Sequence, residues 1–382
     1  MAVNFTEQQL NSESSGMTPR TPDKSLMQKI NLFLIEISSV PLKEKLFFVQ
    51  HLGLMVKTGI SISAALKTLA TQTKHAHFKM ALVDIAEKVE KGVSLSQAMS
   101  AHKKIFGELF INMVEAGELS GKLESVLHEI FLQIKKEHKL LSKVKGALTY
   151  PIVILTAMTG IGIFLFVKII PKMLEMFKEM NATLPLPTRI LIAVSDAITQ
   201  HGLIALIIAV IVVTGFLKYI HTVKGRYYFQ LILLNMPVFG EIIKKINLAR
   251  FARNISSLLK TDIMIIKSFQ ITASVLGNVH YRGALEDMAQ QIKQGGRLND
   301  AIVKYPKLFP PVVAQMVAIG EDTGELDTIL IELAEFYEDE IDQVMEALPS
   351  LIEPILILFL GLGLGGIAVA ILLPMFSLSS QV

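Results

Sequence analysis

Apolar residues recur at helical spacing in two distant parts of the chain. Leu123, Val126, Leu127, Ile130, Phe131 and Ile134 follow the i, i+3, i+4, i+7 order, and Leu326, Ile329, Leu330, Leu333 and Tyr337 follow it again. Each run predicts one long amphipathic helix. Ser120 and Thr323 suit the N-caps of these helices, and Ser94 with Gln97, after Gly92, has the form of a capping box.

Three other stretches lose their polar face altogether. Ala147 to Val167 is 21 residues without a formal charge, Gly202 to Leu217 is apolar and its uncharged run reaches back to Ala197, and Pro354 to Phe376 is 23 residues with no ionisable group. About 20 apolar residues span roughly 30 Å of hydrocarbon as a helix, so three membrane crossings are expected. Lys135, Lys136, Lys139, Lys143 and Lys145 precede the first, and Lys218, Lys224 and Arg226 follow the second, whereas the loop between offers Lys172, Lys178 and Arg189. Basic residues favour the cytoplasmic side, which puts the N-terminus inside and nearly all soluble mass in the cytosol. Met1 to Ser25 is polar and lacks the basic-then-apolar pattern of a cleavable signal.

Adding 203 to a position in the first half reproduces much of the second. Phe48 pairs with Phe251, Lys57 with Lys260, Thr58 with Thr261, Gly92 with Gly295, Phe106 with Phe309, Met113 with Met316 and Gly117 with Gly320. The register continues into the apolar stretches, where Pro151 matches Pro354 and Pro171 matches Pro374. Chance similarity of amphipathic helices would match apolar positions but not Gly and Pro in one register. The expected fold is therefore all-α: two duplicated cytosolic helical bundles of about six helices each, and three transmembrane helices. The expected order is an arm over 1–41, a cytosolic domain over 42–146, a crossing over 147–170 and an extracytoplasmic loop over 171–196. A second crossing over 197–217, the repeat domain over 218–350, a third crossing over 351–376 and a tail over 377–382 follow.

Composition agrees with a membrane. Of 382 residues 51% are hydrophobic and 19% charged, against roughly 25% charged in ordinary soluble proteins, and mean hydropathy is +0.50. A net charge of +3 gives no reason to expect nucleic acid as a partner, and the lack of Cys excludes disulfides, thiolate metal sites and Cys nucleophiles.

Candidate chemistry is thin. Gly121-Lys122 resembles the end of a phosphate-binding loop, but Ala116 stands where the first Gly is required and Leu123 follows. His128-Glu129 opens an HExxH pattern, yet position 132 is Leu. Gly361, Gly363, Gly365 and Gly366 lie in an apolar helix with no strand before them, so close helix approach is the better reading than a dinucleotide fingerprint. No catalytic, cofactor or metal residue is expected.

The repeated element Gly117-Glu118-Leu119-Ser120-Gly121 and Gly320-Glu321-Asp322-Thr323-Gly324 predicts a turn between helices in which Gly supplies unusual backbone angles. Glu118 and Glu321 are expected to accept backbone N–H groups at the next helix start, or to contact a partner. Glu353, just before Pro354 at the mouth of the third crossing, belongs either at the interface or against a functional group.

At these residues the chain resembles the inner-membrane platform family of type II secretion systems and type IV pili, called protein F in secretion systems. The resemblance runs from about Leu42 to Leu378. It is carried by Lys57-Thr-Gly-Ile-Ser, the two Gly-Glu-x-x-Gly elements, Tyr150-Pro151, Leu351-Ile-Glu-Pro354 and Pro374-Met-Phe-Ser-Leu378, together with the duplication. Asp262 departs from the pattern, standing where the first copy has Gly59. The resemblance implies no enzyme and no cofactor. It implies a scaffold, a homo-oligomer, that links a cytosolic hexameric ATPase to pilins or pseudopilins and sits among other inner-membrane assembly proteins. The alternative class is a transporter or channel, which would show more crossings and ionisable groups at mid-membrane.

One difference between the copies stands out. Glu321 to Glu346 holds eleven acids and no Lys or Arg, whereas Glu118 to Lys143 holds four acids and five bases. The acidic run reads as a solvated face, as a hard-cation site at Glu338, Asp339 and Asp342, or as the mate of a basic surface. On the last reading Glu335, Glu338 and Asp342 meet Lys135, Lys136 and Lys139 of a neighbouring subunit, or basic residues of the ATPase.

Overall fold

The computed structural model describes residues 39–179 and 185–379, and every regular element among them is helical. The expected arm over 1–41 and tail over 377–382 lie outside the described residues except for their inner ends.

The first copy comprises α1 (Leu42–Lys57), α2 (Ile62–Gln72), α3 (Ala76–Glu90), α4 (Leu95–Ser100), the single turn α5 (Lys103–Phe106), α6 (Glu108–Ser120) and α7 (Leu123–Phe164). A π-helical turn (Leu165–Ile169), α8 (Ile170–Glu179), α9 (Leu186–His221) and α10 (Val223–Asn235) connect the copies. The second comprises α11 (Phe239–Lys260), α12 (Ile265–Val275), α13 (Val279–Lys293), α14 (Leu298–Val303), α15 (Pro311–Thr323) and α16 (Leu326–Ser379). Four helices, α2, α3, α4 and α6, recur with identical bounds 203 residues on, as α12, α13, α14 and α15. The first copy's additional turn has no helical counterpart, because Pro310 biases Phe309 away from helical angles.

Each bundle closes around a repeated aromatic trio. Phe48 lies 5.4 Å from Phe78 and 5.8 Å from Phe106, and their counterparts Phe251, Tyr281 and Phe309 repeat the cluster, with Phe309 5.2 Å from Phe251 and 5.4 Å from Tyr281. All but Phe106 are essentially unexposed. Tyr281 brings a hydroxyl into this core and donates it to Leu308 O at 2.7 Å; burial raises its pKa far above the usual phenol range. Ser61 and Ser94 cap α2 and α4, Ser94 Oγ accepting from Gln97 N at 3.3 Å. The caps expected at Ser120 and Thr323 do not form. Both residues end the preceding helices, and their hydroxyls donate back to Ala116 O and Ile319 O at 2.7 and 2.8 Å, while Thr323 Oγ1 also accepts Glu325 N at 3.4 Å, in the turn before α16.

From each bundle the last helix runs on into an apolar shaft. Leu123–Met173 and Leu326–Leu373 are long and apolar enough to cross a membrane, and the apolar end of α9, Val210–His221, is shorter. Side chains such as Ile152, Phe164, Ile355 and Phe359 are 58%, 59%, 67% and 70% exposed, which suits hydrocarbon and not water. The π turn offsets the backbone ladder of the first shaft, and Ser195 on α9 donates to the carbonyl of Phe166 within it at 2.8 Å. Thr188 ties α9 to α16 through Ala370 O at 2.6 Å. Such hydroxyl bonds hold helices together where water is scarce.

Candidate functional site at the seam between the copies

The repeated Gly-Glu-x-x-Gly element builds the same device twice. Glu118 lies in α6 and its carboxylate accepts Leu95 N at 2.5 Å and Ser96 N at 2.8 Å. Glu321 in α15 accepts Leu298 N and Asn299 N at 2.9 and 3.2 Å. The helix starts it satisfies are therefore those of α4 and α14, earlier in the chain, and not the next helices as expected from sequence. The free N–H groups and positive end of a short helix draw a carboxylate wherever the fold brings one close.

The two glycines of each element do different work. Gly121 and Gly324 take φ of 69° and 76° and end their helices in the left-handed region. Gly117 and Gly320 are ordinary helical residues, contrary to the expectation of unusual angles. Their constraint is space: a Cβ on Gly117 would sit 2.9 Å from Val126 Cγ2, and one on Gly320 would sit 3.0 Å from Leu326 Cα. The first glycine lets α7 and α16 lie close on α6 and α15, and the second makes the turn. Asp262 holds φ of 62° at the place of Gly59, a conformation Asp tolerates better than most residues; its carboxylate receives Lys122 Nζ at 2.7 Å.

The acidic run of α16 faces the basic run of α7 within one chain. Lys136 lies 2.9 Å from Glu338 and 3.9 Å from Glu335, and Lys139 lies 3.3 Å from Asp342, which Lys143 also contacts. This corrects the expectation of a neighbouring subunit for Glu335, Glu338 and Asp342: Lys136 and Lys139 are partners, but of the same molecule. A cation at Glu338 and Asp342 loses its support, since those carboxylates are already engaged by basic side chains. Burial would raise the carboxyl of Asp342, but hydrogen bonds from Lys143 and Lys139 outweigh it and hold its pKa below the ordinary value.

Helix α11 completes the seam. Arg253, 9% exposed at its side chain, donates Nε to Glu338 Oε1 at 2.9 Å, while its Nη2, 2.8 Å from the same oxygen, lacks hydrogen-bond geometry. Arg250 forks onto Glu137 of α7 at 2.5 and 3.2 Å. Gln133 Nε2 donates to Asn254 Oδ1 at 2.5 Å, and Ser257 Oγ donates to Glu129 and Gln133. Asn254, Ser256 and Ser257 are 5%, 0% and 0% exposed. Sequence reasoning missed this polar stripe at 250, 253, 254 and 257 because such a stripe at helical spacing reads equally as a solvated face. A cavity of about 350 Å³ opens beside it, between Lys45 and Phe110 of the first copy and Arg250 and Leu276 of the second. Burial lowers the pKa of Lys45, whose amine donates to Ile105 O.

Glu353 and Pro354 lie on the exposed side of α16, and Glu353 has no ion pair within the described residues. Gly361, Gly363, Gly365 and Gly366 face open space, with nothing among the described residues within 4 Å of where a Cβ would sit. Among the described residues no three His, Asp or Glu side chains gather as a metal site.

Two like helical bundles, each continuous with an apolar helix of membrane length and joined by a charged seam, define a protein of repeated halves. The chain belongs to the type II secretion system protein F family, which matches it twice, at residues 48–171 and 251–374. It is 36% identical to the type IV pilus assembly protein PilC of Thermus thermophilus, over 94% of this chain and 88% of that protein. It is 32% identical to the protein of the same name in Myxococcus xanthus, over 97% and 88%. To the type II secretion system protein F of Aeromonas hydrophila it is 29% identical, over 96% and 95%.

Proposed function

We propose that the chain is the inner-membrane assembly platform of a type IV pilus or type II secretion machine. It crosses the membrane three times with its N-terminus in the cytoplasm, and both bundles face the cytosol. There it takes up movement from a motor ATPase and transmits it to pilins or pseudopilins entering or leaving the fibre. It performs no chemistry of its own, and the energy is the partner's. The names of its relatives support assembly of a pilus or a secretion system. The third crossing is supported by α9, where Ile207, Ile208, Ile211 and Val212 are all at least half exposed.

The observation that carries the reading is the continuity of α16. Its 54 residues run as one helix from Leu326 in the second bundle to Ser379, through Pro349, Pro354 and Pro374, over about 80 Å, so displacement at its cytosolic end is carried to its membrane end by one continuous element. Inserting a Gly-Ser-Gly-Ser segment after Ala347 is expected to leave the protein in the membrane at normal levels and to abolish fibre assembly or secretion. Full assembly by the stably inserted variant would refute transmission through this helix.

A further inference from the structure

The seam between the copies is one-sided. Gln133 on α7 reaches Asn254 and Ser257 on α11. If the copies were related by a closed twofold, the repeat counterparts of these residues would meet too, with Phe336 on His51 and Leu54. They do not meet, and Phe336 and Leu54 are 50% and 58% exposed. The first copy thus leaves open the face that the second buries, and the second leaves open the face that the first buries.

Two exposed side chains on the open faces, Leu54 and Phe336, are apolar where the closed seam has the polar Ser257 and Gln133, while His51 is half-buried and hydrogen-bonds Phe47 O at 2.8 Å. In place of Asn254 and Ser257, which are covered, the first copy presents His51 and Leu54, with Phe47 packed on His51 at a ring distance of 3.9 Å. In place of Gln133 the second copy presents Phe336. Charge repeats the pattern: Lys136 meets Glu338 in the seam, and the counterparts are Asp339 and Lys135, both exposed and neither in an ion pair among the described residues. Exposed aromatic and aliphatic side chains beside complementary charges are the composition of a protein–protein contact.

We propose that these faces dock on each other between chains, head to tail: α16 of one molecule lies on α1 and α7 of a second copy. Phe336 packs against His51 and Leu54 of that copy, and Asp339 pairs with its Lys135. The contact repeats between molecules what Gln133, Asn254 and Ser257 already do within one. A membrane permits the repetition, because Lys136 meets Glu338 and Lys139 meets Asp342 in ascending order, so α7 and α16 run parallel. The operation relating the copies therefore keeps both shafts pointing the same way. Repeated head-to-tail contacts make a ring if the rotation closes and a filament if it does not. The inference rests on the platform reading only for placing both bundles on one side of the membrane.

The absence of Cys makes the test direct. Full-length Leu54→Cys and Phe336→Cys chains carrying different tags are co-expressed and oxidised in membranes. A disulfide joining the two variants, with neither linking to itself, is the expected result. Asp339→Lys in the Phe336→Cys chain should cut its yield roughly fivefold at low salt, and Lys135→Asp in the Leu54→Cys chain should restore it. Either variant linking to itself would overturn the proposal in favour of a twofold contact. Absence of the mixed link in membranes containing both folded variants would overturn it outright. A mixed link seen only after removal of residues 1–38 would show that the arm, and not a second copy, covers Leu54. Fibre assembly is scored separately in cells lacking the chain, and its persistence there counts against the platform reading alone.

Discussion

Lys139 and Asp342 hold the same position in the two copies, yet their side chains lie 3.3 Å apart with opposite charge. A residue that packs against its own repeat counterpart would meet a like charge if both copies kept one sequence, and like charges that close repel. Opposite signs turn the repulsion into attraction, and the same division extends to Lys136 with Glu338. At Glu335, Glu338 and Asp342 the acidic character of α16 thus answers the lysines of α7.

Glu338→Ala is expected to lower the stability of the full chain by about 1–3 kcal/mol, since it leaves the nearly buried Arg253 with only the more distant and exposed Glu335, 3.8 Å away. Adding Arg253→Met should recover most of the loss, because the buried charge goes with its partner. Thermal unfolding of the solubilised chain measures both.

Asp342 gives the seam a pH dependence. Its pKa is lowered in the fold, so its contribution is fully present above the unfolded carboxyl pKa of about 3.9. It is lost as pH falls from there through the lower folded value. The melting temperature of wild type should therefore fall more steeply than that of Asp342→Asn between about pH 4.5 and pH 2.5. Parallel curves would mean that the lysine contacts do not hold the carboxylate.

The two glycines of the repeated element should respond differently. Gly117→Ala is expected to cost about 1–3 kcal/mol through overpacking, with part recovered by Val126→Ala, which removes the crowding methyl groups. Gly121→Ala should cost about 1 kcal/mol from its left-handed backbone, with no recovery by Val126→Ala. A double-mutant cycle separates the cases.

Removing either carboxylate clamp should loosen the helix it holds. Glu118→Ala is expected to destabilise the first bundle by about 1–3 kcal/mol and to speed hydrogen exchange at Leu95 and Ser96. Glu321→Ala should do the same at Leu298 and Asn299 and leave the first bundle unchanged.

The three-crossing topology predicts that Leu186→Cys is labelled from outside intact cells and Ser274→Cys is not. Labelling at Ser274, which is exposed on the second bundle, would reverse the orientation.

Much of this architecture was legible in the sequence because duplication preserves what geometry demands: Gly and Pro in one register fixed the equivalence of α2 with α12 and of α6 with α15. Contacts were less legible. The offset pairs Gly117 with Gly320 whether the constraint is a backbone angle or a near neighbour, and only the position of Val126 and Leu326 distinguishes them. The carboxylate of Glu118 found a helix start 23 residues earlier, which local capping rules do not reach. Nothing near Asn254 and Ser257 in the chain signals their burial, because their partners, Gln133 and Glu129, come from the other copy.

The covalent path through α8, α9 and α10 has a consequence for how strong the seam must be. Two bundles on one chain meet at an effective concentration on the order of millimolar, set by the linker, so weak affinity suffices to keep them together. Ion pairs such as Lys139 with Asp342, where the lysine is 60% exposed, are adequate for that task. The tether adds to an apolar contact already in place, since Leu140 of the first copy is buried in the core of the second bundle and Leu258 and Ile271 of the second are buried in the core of the first.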